Sequence, residues 1–182
     1  MGQKIDERLL AAITAHDSDT AIQLLASGAN VNYQDGKGEP ILAIAAMLQL
    51  REVVKYLLEA GADPNLLSAV GQSALKYAAW HDDDMVQMLL EKGADPNSAT
   101  VNGRTPLHSA VSFAEANNVQ LLLDAQADCN KKDSLGRTPL MLAIERKQHE
   151  AVHPTRTIKQ KQIYKQKYKR IIALLRNADV HG

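Results

Sequence analysis

The sequence predicts an all-α solenoid, a row of helix pairs stacked along one axis. Three observations carry that prediction. A five-residue segment recurs as GANVN (28–32), GADPN (61–65), GADPN (93–97), QADCN (126–130) and NADVH (177–181), and the first four copies are spaced by 33, 32 and 33 residues. A Leu pair precedes every copy: Leu24-Leu25, Leu57-Leu58, Leu89-Leu90, Leu122-Leu123 and Leu174-Leu175. Hydrophobic residues make up 45% of the 182 residues but aromatics only 4%, which suits close helix packing better than an aromatic-filled β-sandwich. One helix pair cannot bury its apolar face alone, so a fixed period of this length means stacking.

The units follow in order. The first, about residues 4–32, opens with Lys4, Asp6, Glu7 and Arg8 beside Leu9, Leu10 and Ile13, the pattern of a terminal cap with a wetted outer face. The second, 33–65, starts its first helix at Pro40. Proline has no side-chain acceptor, so this helix should be about 1 kcal/mol less well capped. The third, 66–97, starts at Ser73 in SALK, the fourth, 98–130, at Thr105 in TPLH, and the fifth, 131–181, at Thr138 in TPLM. Ser and Thr suit a helix N-cap, and Pro106 and Pro139 suit the first helical turn. Small residues (Ala45-Ala46, Ala78-Ala79, Ala110, Ala143) let the first helices approach closely, while the Leu pairs face inward from the second helices. Gly28, Gly61 and Gly93 stand where a helix ends in a left-handed conformation, a place taken by Gln126 and Asn177 in the last two units. The third unit is one residue short between its helices, which shifts register around His81.

A 33-residue period with T-P-L-H and G-A-D-x-N resembles the ankyrin repeat, and the likeness covers nearly the whole chain. The resemblance implies β-hairpin fingers near 33–39, 66–72, 98–104 and 131–137. It also implies a second helix of the fifth unit beginning around Lys147-Gln148-His149-Glu150-Ala151-Val152. Members of this family bind other proteins through the finger tips and the exposed ends of the first helices. Carried to this sequence, the helix-end positions are Met47-Leu48, Trp80-His81, Ser112-Phe113 and Glu145-Arg146. The finger positions are Lys37, Glu39, Val70, Gln72, Asn102, Arg104, Leu135 and Arg137. The single Trp and the single Phe both fall in this set, and aromatic and Met side chains are enriched in interface cores. A partly apolar concave stripe with a mostly acidic rim is the expectation. His108, the TPLH histidine, is expected to make structural hydrogen bonds.

The fifth unit departs from the pattern. Its Leu pair arrives about 18 residues late, after HPTRTIKQKQIYKQKYKR (153–170), which holds seven Lys/Arg and no acid. Pro154 should break a helix there. Beyond it Tyr164, Tyr168, Ile171, Ile172 and Leu175 keep the spacing of one helix face, predicting a lengthened basic helix over roughly 157–176. The net charge of zero thus hides an asymmetry: 13 Lys/Arg against 20 Asp/Glu in residues 1–150, then eight against one in 151–182. Lys159, Lys161, Lys165, Lys167, Lys169 and Arg170 form a basic patch that reads as a soluble end cap, with a contact for an acidic partner or nucleic acid as alternatives. The acidic remainder of the chain disfavours a long polyanion.

Motifs for chemistry are few. His149-Glu150-Ala151-Val152-His153 fits H-E-x-x-H, a zinc-hydrolase pattern in which two His share a helix face and Glu serves as general base. Pro154 disfavours a helical His153, and a third ligand is poorly supplied. Asp82-Asp83-Asp84 after His81 reads as acids favouring a helix N-terminus rather than a cation site. A single cysteine, Cys129, excludes a disulfide framework. The longest apolar run, 41–48, is far short of a membrane span. The start lacks the apolar stretch of a secretory signal, so a cytoplasmic location is expected. The reading is a monomeric, non-enzymatic protein-binding module without cofactor, used as an adaptor, an inhibitor or immunity protein, or an effector. A basic-helix anion binder and a zinc hydrolase are the alternatives.

Overall fold

The computed structural model describes residues 2–181, with side chains described for 4–179. Ten helices follow one another in pairs: α1 (Gly2–Thr14) and α2 (Ser18–Ala26), α3 (Ile41–Met47) and α4 (Arg51–Glu59), α5 (Ala74–Ala78) and α6 (Asp83–Glu91), α7 (Pro106–Ser112) and α8 (Ala116–Asp124), α9 (Pro139–Val152) and α10 (Ile158–His181). First helices pack on first helices along the row α1–α3–α5–α7–α9, and second helices along α2–α4–α6–α8–α10. One apolar core runs continuously from Leu9 and Ile13 through Ile41, Leu57, Leu75, Leu89, Leu107 and Leu122 to Leu142 and Tyr168.

The caps act as their side chains dictate. The hydroxyls of Ser73, Thr105 and Thr138 accept the N–H of Lys76, His108 and Met141, whereas Pro40 offers α3 no side-chain cap. His108 is fully buried and closes a capping box with Thr105, its Nδ1 accepting the Thr105 N–H. Its Nε2 then donates to the Arg137 carbonyl at 3.0 Å, tying the fourth unit to the fifth finger. Burial pushes this imidazole below its ordinary pKa, keeping it neutral for that role.

The segment GADPN supplies a polar clamp between units. Asp63, Asp95 and Asp128 each accept the N–H two residues on. The side-chain oxygens of Asn32, Asn65 and Asn97 reach the next unit and accept the N–H of Asp63, Asp95 and Asp128 at 2.7–2.8 Å. The Asn65 and Asn97 amides also donate to the Gly93 and Gln126 carbonyls at the helix ends of the following unit. Gly28, Gly61 and Gly93 take φ of +84 to +91, and Gln126 adopts the same left-handed region at +63. His16, Gln49 and Ala114, between the helices of their pairs, lie at +58 to +60. The residue missing from the third unit is the counterpart of Gln49 and Ala114. Without that left-handed residue α5 stops after five residues, where α3 and α7 run for seven.

The fingers are tight turns rather than strand pairs. Among the described residues the ladder shrinks to one isolated bridge, Gln34–Pro40. Each finger closes on itself through two backbone bonds, such as Ser68 N–H to the Gln72 carbonyl at 3.0 Å and Gly71 N–H to the Ser68 carbonyl at 2.8 Å. Neighbours join through Val101 N–H to the Val70 carbonyl and Ser134 N–H to the Asn102 carbonyl.

The fifth unit differs most from its expected form. The segment 147–152 does not start a second helix; it continues α9, which ends only at the break expected at Pro154, with His153 as its C-cap. The second helix is α10, which begins at Ile158 as anticipated but extends to His181, past the expected end near 176. Asn177 therefore lies inside a helix and terminates nothing. Tyr168, Ile171, Ile172 and Leu175 are buried against α8 and α9, whereas Lys159, Lys165, Lys167, Lys169 and Arg170 are exposed. Lys4, Glu7 and Arg8 are exposed at the opposite end.

Finger glycines separate strain from crowding. Gly71 and Gly136 share φ near +75, but a Cβ on Gly71 would sit 2.7 Å from the Ala99 carbonyl oxygen, while one on Gly136 meets nothing within 4 Å. Gly136→Ala should cost about 1 kcal/mol, the left-handed penalty, and Gly71→Ala at least about twice that. Urea unfolding of the two variants checks the ratio.

Candidate functional site

The helix-end and finger positions collect on the side of the stack formed by the first helices and the turns before them. Trp80, just past α5, stacks on Phe113, just past α7, with centroids 5.3 Å apart. Tyr77 meets Trp80 edge-on at 4.9 Å, and His81 meets Phe113 edge-on at 5.0 Å. Phe113 remains 40% exposed and Trp80 half-buried. The short third turn brings Trp80 alongside Phe113, although the two occupy different places in the repeat. Met47 is exposed and Leu48 is half-buried against the core. His81 faces Glu115 at 3.4 Å.

The finger residues divide into tips and bases. Lys37 and Asn102 are exposed at tips, as are Val70 (49%) and Leu135 (72%). Val101 (71%) joins them and was not anticipated, because the family pattern assigned that tip to its neighbour Asn102. Three successive tips thus hold an exposed aliphatic side chain. At the bases Glu39, Gln72, Arg104 and Arg137 occupy equivalent positions, so charge runs from acidic through neutral to basic along the row. Of these four base positions only Glu39 is acidic, so they do not make the expected acidic rim.

The basic end of the row is partly buried. Arg137 pairs with Asp133 at 2.7 Å and with Glu145 at 3.3 Å. Burial works to raise the Asp133 carboxyl, but hydrogen bonds from Arg137 and the Leu135 N–H hold it at about 2. Arg104 donates to the Ser112 hydroxyl, while its Nε is buried without a partner. Burial and the charges of Arg137 and Arg146 lower the Arg104 pKa against the pull of Asp133.

Lys76 is the principal residue that sequence reasoning missed. It stands in SALK where His108 stands in TPLH, a position buried at Ala43 and His108 although exposed at Met141 of the last unit, and only 8% of it is exposed. That replacement was the available signal. Its ammonium donates to Gln72 at 2.7 Å and lies 5.6–5.7 Å above the Tyr77 and Trp80 rings. Burial, then the Arg104 charge, push Lys76 down to about 8 despite the attraction of Glu39. Burial and the Glu39 charge push Tyr77 up to about 12.

The other candidate chemistry is arranged structurally. His149 is on α9 and His153 is its non-helical C-cap (ψ 120), their rings edge-to-face at 5.4 Å. Glu150 is buried and ion-paired with Arg156, whose guanidinium covers Tyr164 at 3.9 Å. The carboxylate that would serve as general base is thus held by a guanidinium. Among the described residues Asp82, Asp83 and Asp84 come close enough to share a cation, but Arg51 bridges Asp82 and Asp84 and Asp82 caps α6. No described helix is long and apolar enough to cross a membrane. Of the two tyrosines of the basic helix, Tyr168 is buried and Tyr164 is covered by the Arg156 guanidinium, so neither is free for base stacking.

Lys76 makes a pH prediction. Its folded pKa lies below the unfolded 10.5, so between about pH 8 and 10.5 the unfolded chain binds more protons and stability rises with pH. Relative to Lys76→Met, the wild type should gain stability across this window and show no such relative gain between pH 6 and 7. Urea unfolding of both proteins over pH 6–10 checks it.

Comparison with known proteins agrees with this geometry. The family model described as ankyrin repeats (3 copies) matches residues 9–100 and 97–153. An ankyrin repeat-containing protein of Treponema pallidum is 37% identical over 79 residues, 43% of this chain and 26% of that one. An ankyrin repeat protein of Acanthamoeba polyphaga mimivirus is 42% identical over 60 residues, 32% of this chain and 14% of that one. The mitochondrial disaggregase of Homo sapiens is 43% identical over 61 residues, 34% of this chain and 9% of that one. The chain spans about a quarter of the Treponema protein's length and less of the other two. Repeats of this kind indicate a protein–protein interaction module, and they match most of the sequence: the chain belongs to the ankyrin-repeat family.

Proposed function

We propose that the chain captures a folded protein partner on the concave face made by its first helices and fingers, without catalysis. The observation that carries this reading is the stacked Trp80–Phe113 pair, left partly exposed beside Met47 and the aliphatic tips Val70, Val101 and Leu135. Large apolar side chains at positions the core does not need are what a binding surface requires. The stack presents them on helices and short turns, so little ordering accompanies binding. Leu48, His81, Ser112, Arg146, Lys37, Asn102, Arg104 and Arg137 would form the surrounding contacts. The basic helix α10 serves in this reading as the terminal cap, burying its apolar face and keeping its lysines wet.

Replacing both Trp80 and Phe113 by Ala should weaken capture of the native partner at least about tenfold. The stability loss should stay within about 2 kcal/mol, since both rings are partly exposed at the ends of their helices. Affinity capture with quantitative mass spectrometry, paired with thermal melting, checks both. Undiminished capture, or a collapsed fold, would remove the rings from the binding role.

A further inference from the structure

The concave face contains a pocket of about 360 Å³ between α5, α7 and α9. Its polar lining is cationic. Lys76 enters from α5, Arg104 from the turn before α7 and Arg146 from α9, with the Ser109 and Ser112 hydroxyls between them. Trp80 and Phe113 form the apolar wall. Among the described residues none of these three cations makes an ion pair within 4 Å. The acids whose charges act on them are Glu39, beyond ion-pair distance of Lys76, and Asp133, already engaged by Arg137. A buried ammonium and a buried, unpartnered guanidinium N–H are both costly to leave uncompensated. Their convergence beside an exposed aromatic wall calls for an anion with an apolar neighbour.

We infer that this pocket is an anchor for a carboxylate side chain of the protein partner, with an adjacent apolar residue of that partner lying on the Trp80–Phe113 wall. The inference rests on the concave-face reading and names the chemistry of its partner. A planar carboxylate matches the guanidinium fork and the ammonium together. A single negative charge also suits the site better than a polyanion, because residues 1–150 carry 20 acids against 13 bases.

The single tryptophan lines the pocket, so its emission reports occupancy directly. Titration with terminally blocked Leu-Glu-Leu should change Trp80 fluorescence saturably and weaken as salt rises. The isosteric Leu-Gln-Leu peptide should bind at least about tenfold more weakly, the factor for one charge-assisted hydrogen bond. Arg104→Gln should erase most of that difference. Arg146→Gln, at a half-exposed position that threatens the fold less, should reduce it too. Equal binding of the two peptides overturns the inference, as does a difference that survives both substitutions. Inorganic phosphate that saturates the same signal at lower concentration than Leu-Glu-Leu reassigns the pocket to phosphate and overturns it as well. If the Trp80/Phe113 double variant loses the native partner while Arg104→Gln and Arg146→Gln do not, the concave-face reading stands and the carboxylate anchor falls.

Discussion

An isolated helix pair in this chain has two apolar sides and no means of covering either. Leu57, Leu89 and Leu122 are fully buried only because a neighbouring pair lies against them, and the rest of the molecule follows from that dependence. Small residues in the first helices set a close approach, and the Leu-rich second helices fill the other layer. The polar clamp copies the same logic outside the core. Asn32, Asn65 and Asn97 each bond a backbone N–H one unit further on, so the turn that ends one pair is completed by the next.

The first and last pairs depart from the inner ones in different ways. At the start α1 turns Lys4, Glu7 and Arg8 to water and packs Leu9 and Ile13 inward. At the far end Asn130 has no equivalent turn to clamp, because the segment resembling that turn lies within α10. The lengthened helix compensates by burying Tyr168, Ile171 and Leu175 against α8 and α9. Its lysines cover the solvent side, and Lys167 lies within 4.0 Å of Glu115 on the preceding pair.

Rigidity of this kind lets the first-helix face hold groups that a softer protein would release. Lys76 keeps a charge in a buried position and Arg104 keeps an unpartnered N–H, because the helices bearing them are fixed by neighbours on both sides. The gradient from Glu39 to Arg137 is the sum of single replacements at one repeated position, each neutral to the stacking rule. Sequence variation in such a fold therefore writes directly onto the surface without disturbing the core.

The helix caps, the glycine-terminated turns and the buried face of α10 were legible in the sequence. Each depends on local chemistry repeated at fixed spacing: a Ser or Thr oxygen before a helix, a residue tolerant of positive φ, an apolar side chain every third or fourth position. The positions of Trp80, Phe113 and Arg104 were legible through the same register. Pro154 marked where a helix would break, but only the structure showed that α9 runs uninterrupted through Glu145 to Val152, with no left-handed residue dividing it. It also decided that Trp80 would lie on Phe113, since one missing residue shortened α5. Lys76 became a pocket residue for a related reason. Register put it in the place that His108 holds in TPLH, and the packing of α7 beside α5 takes it out of water.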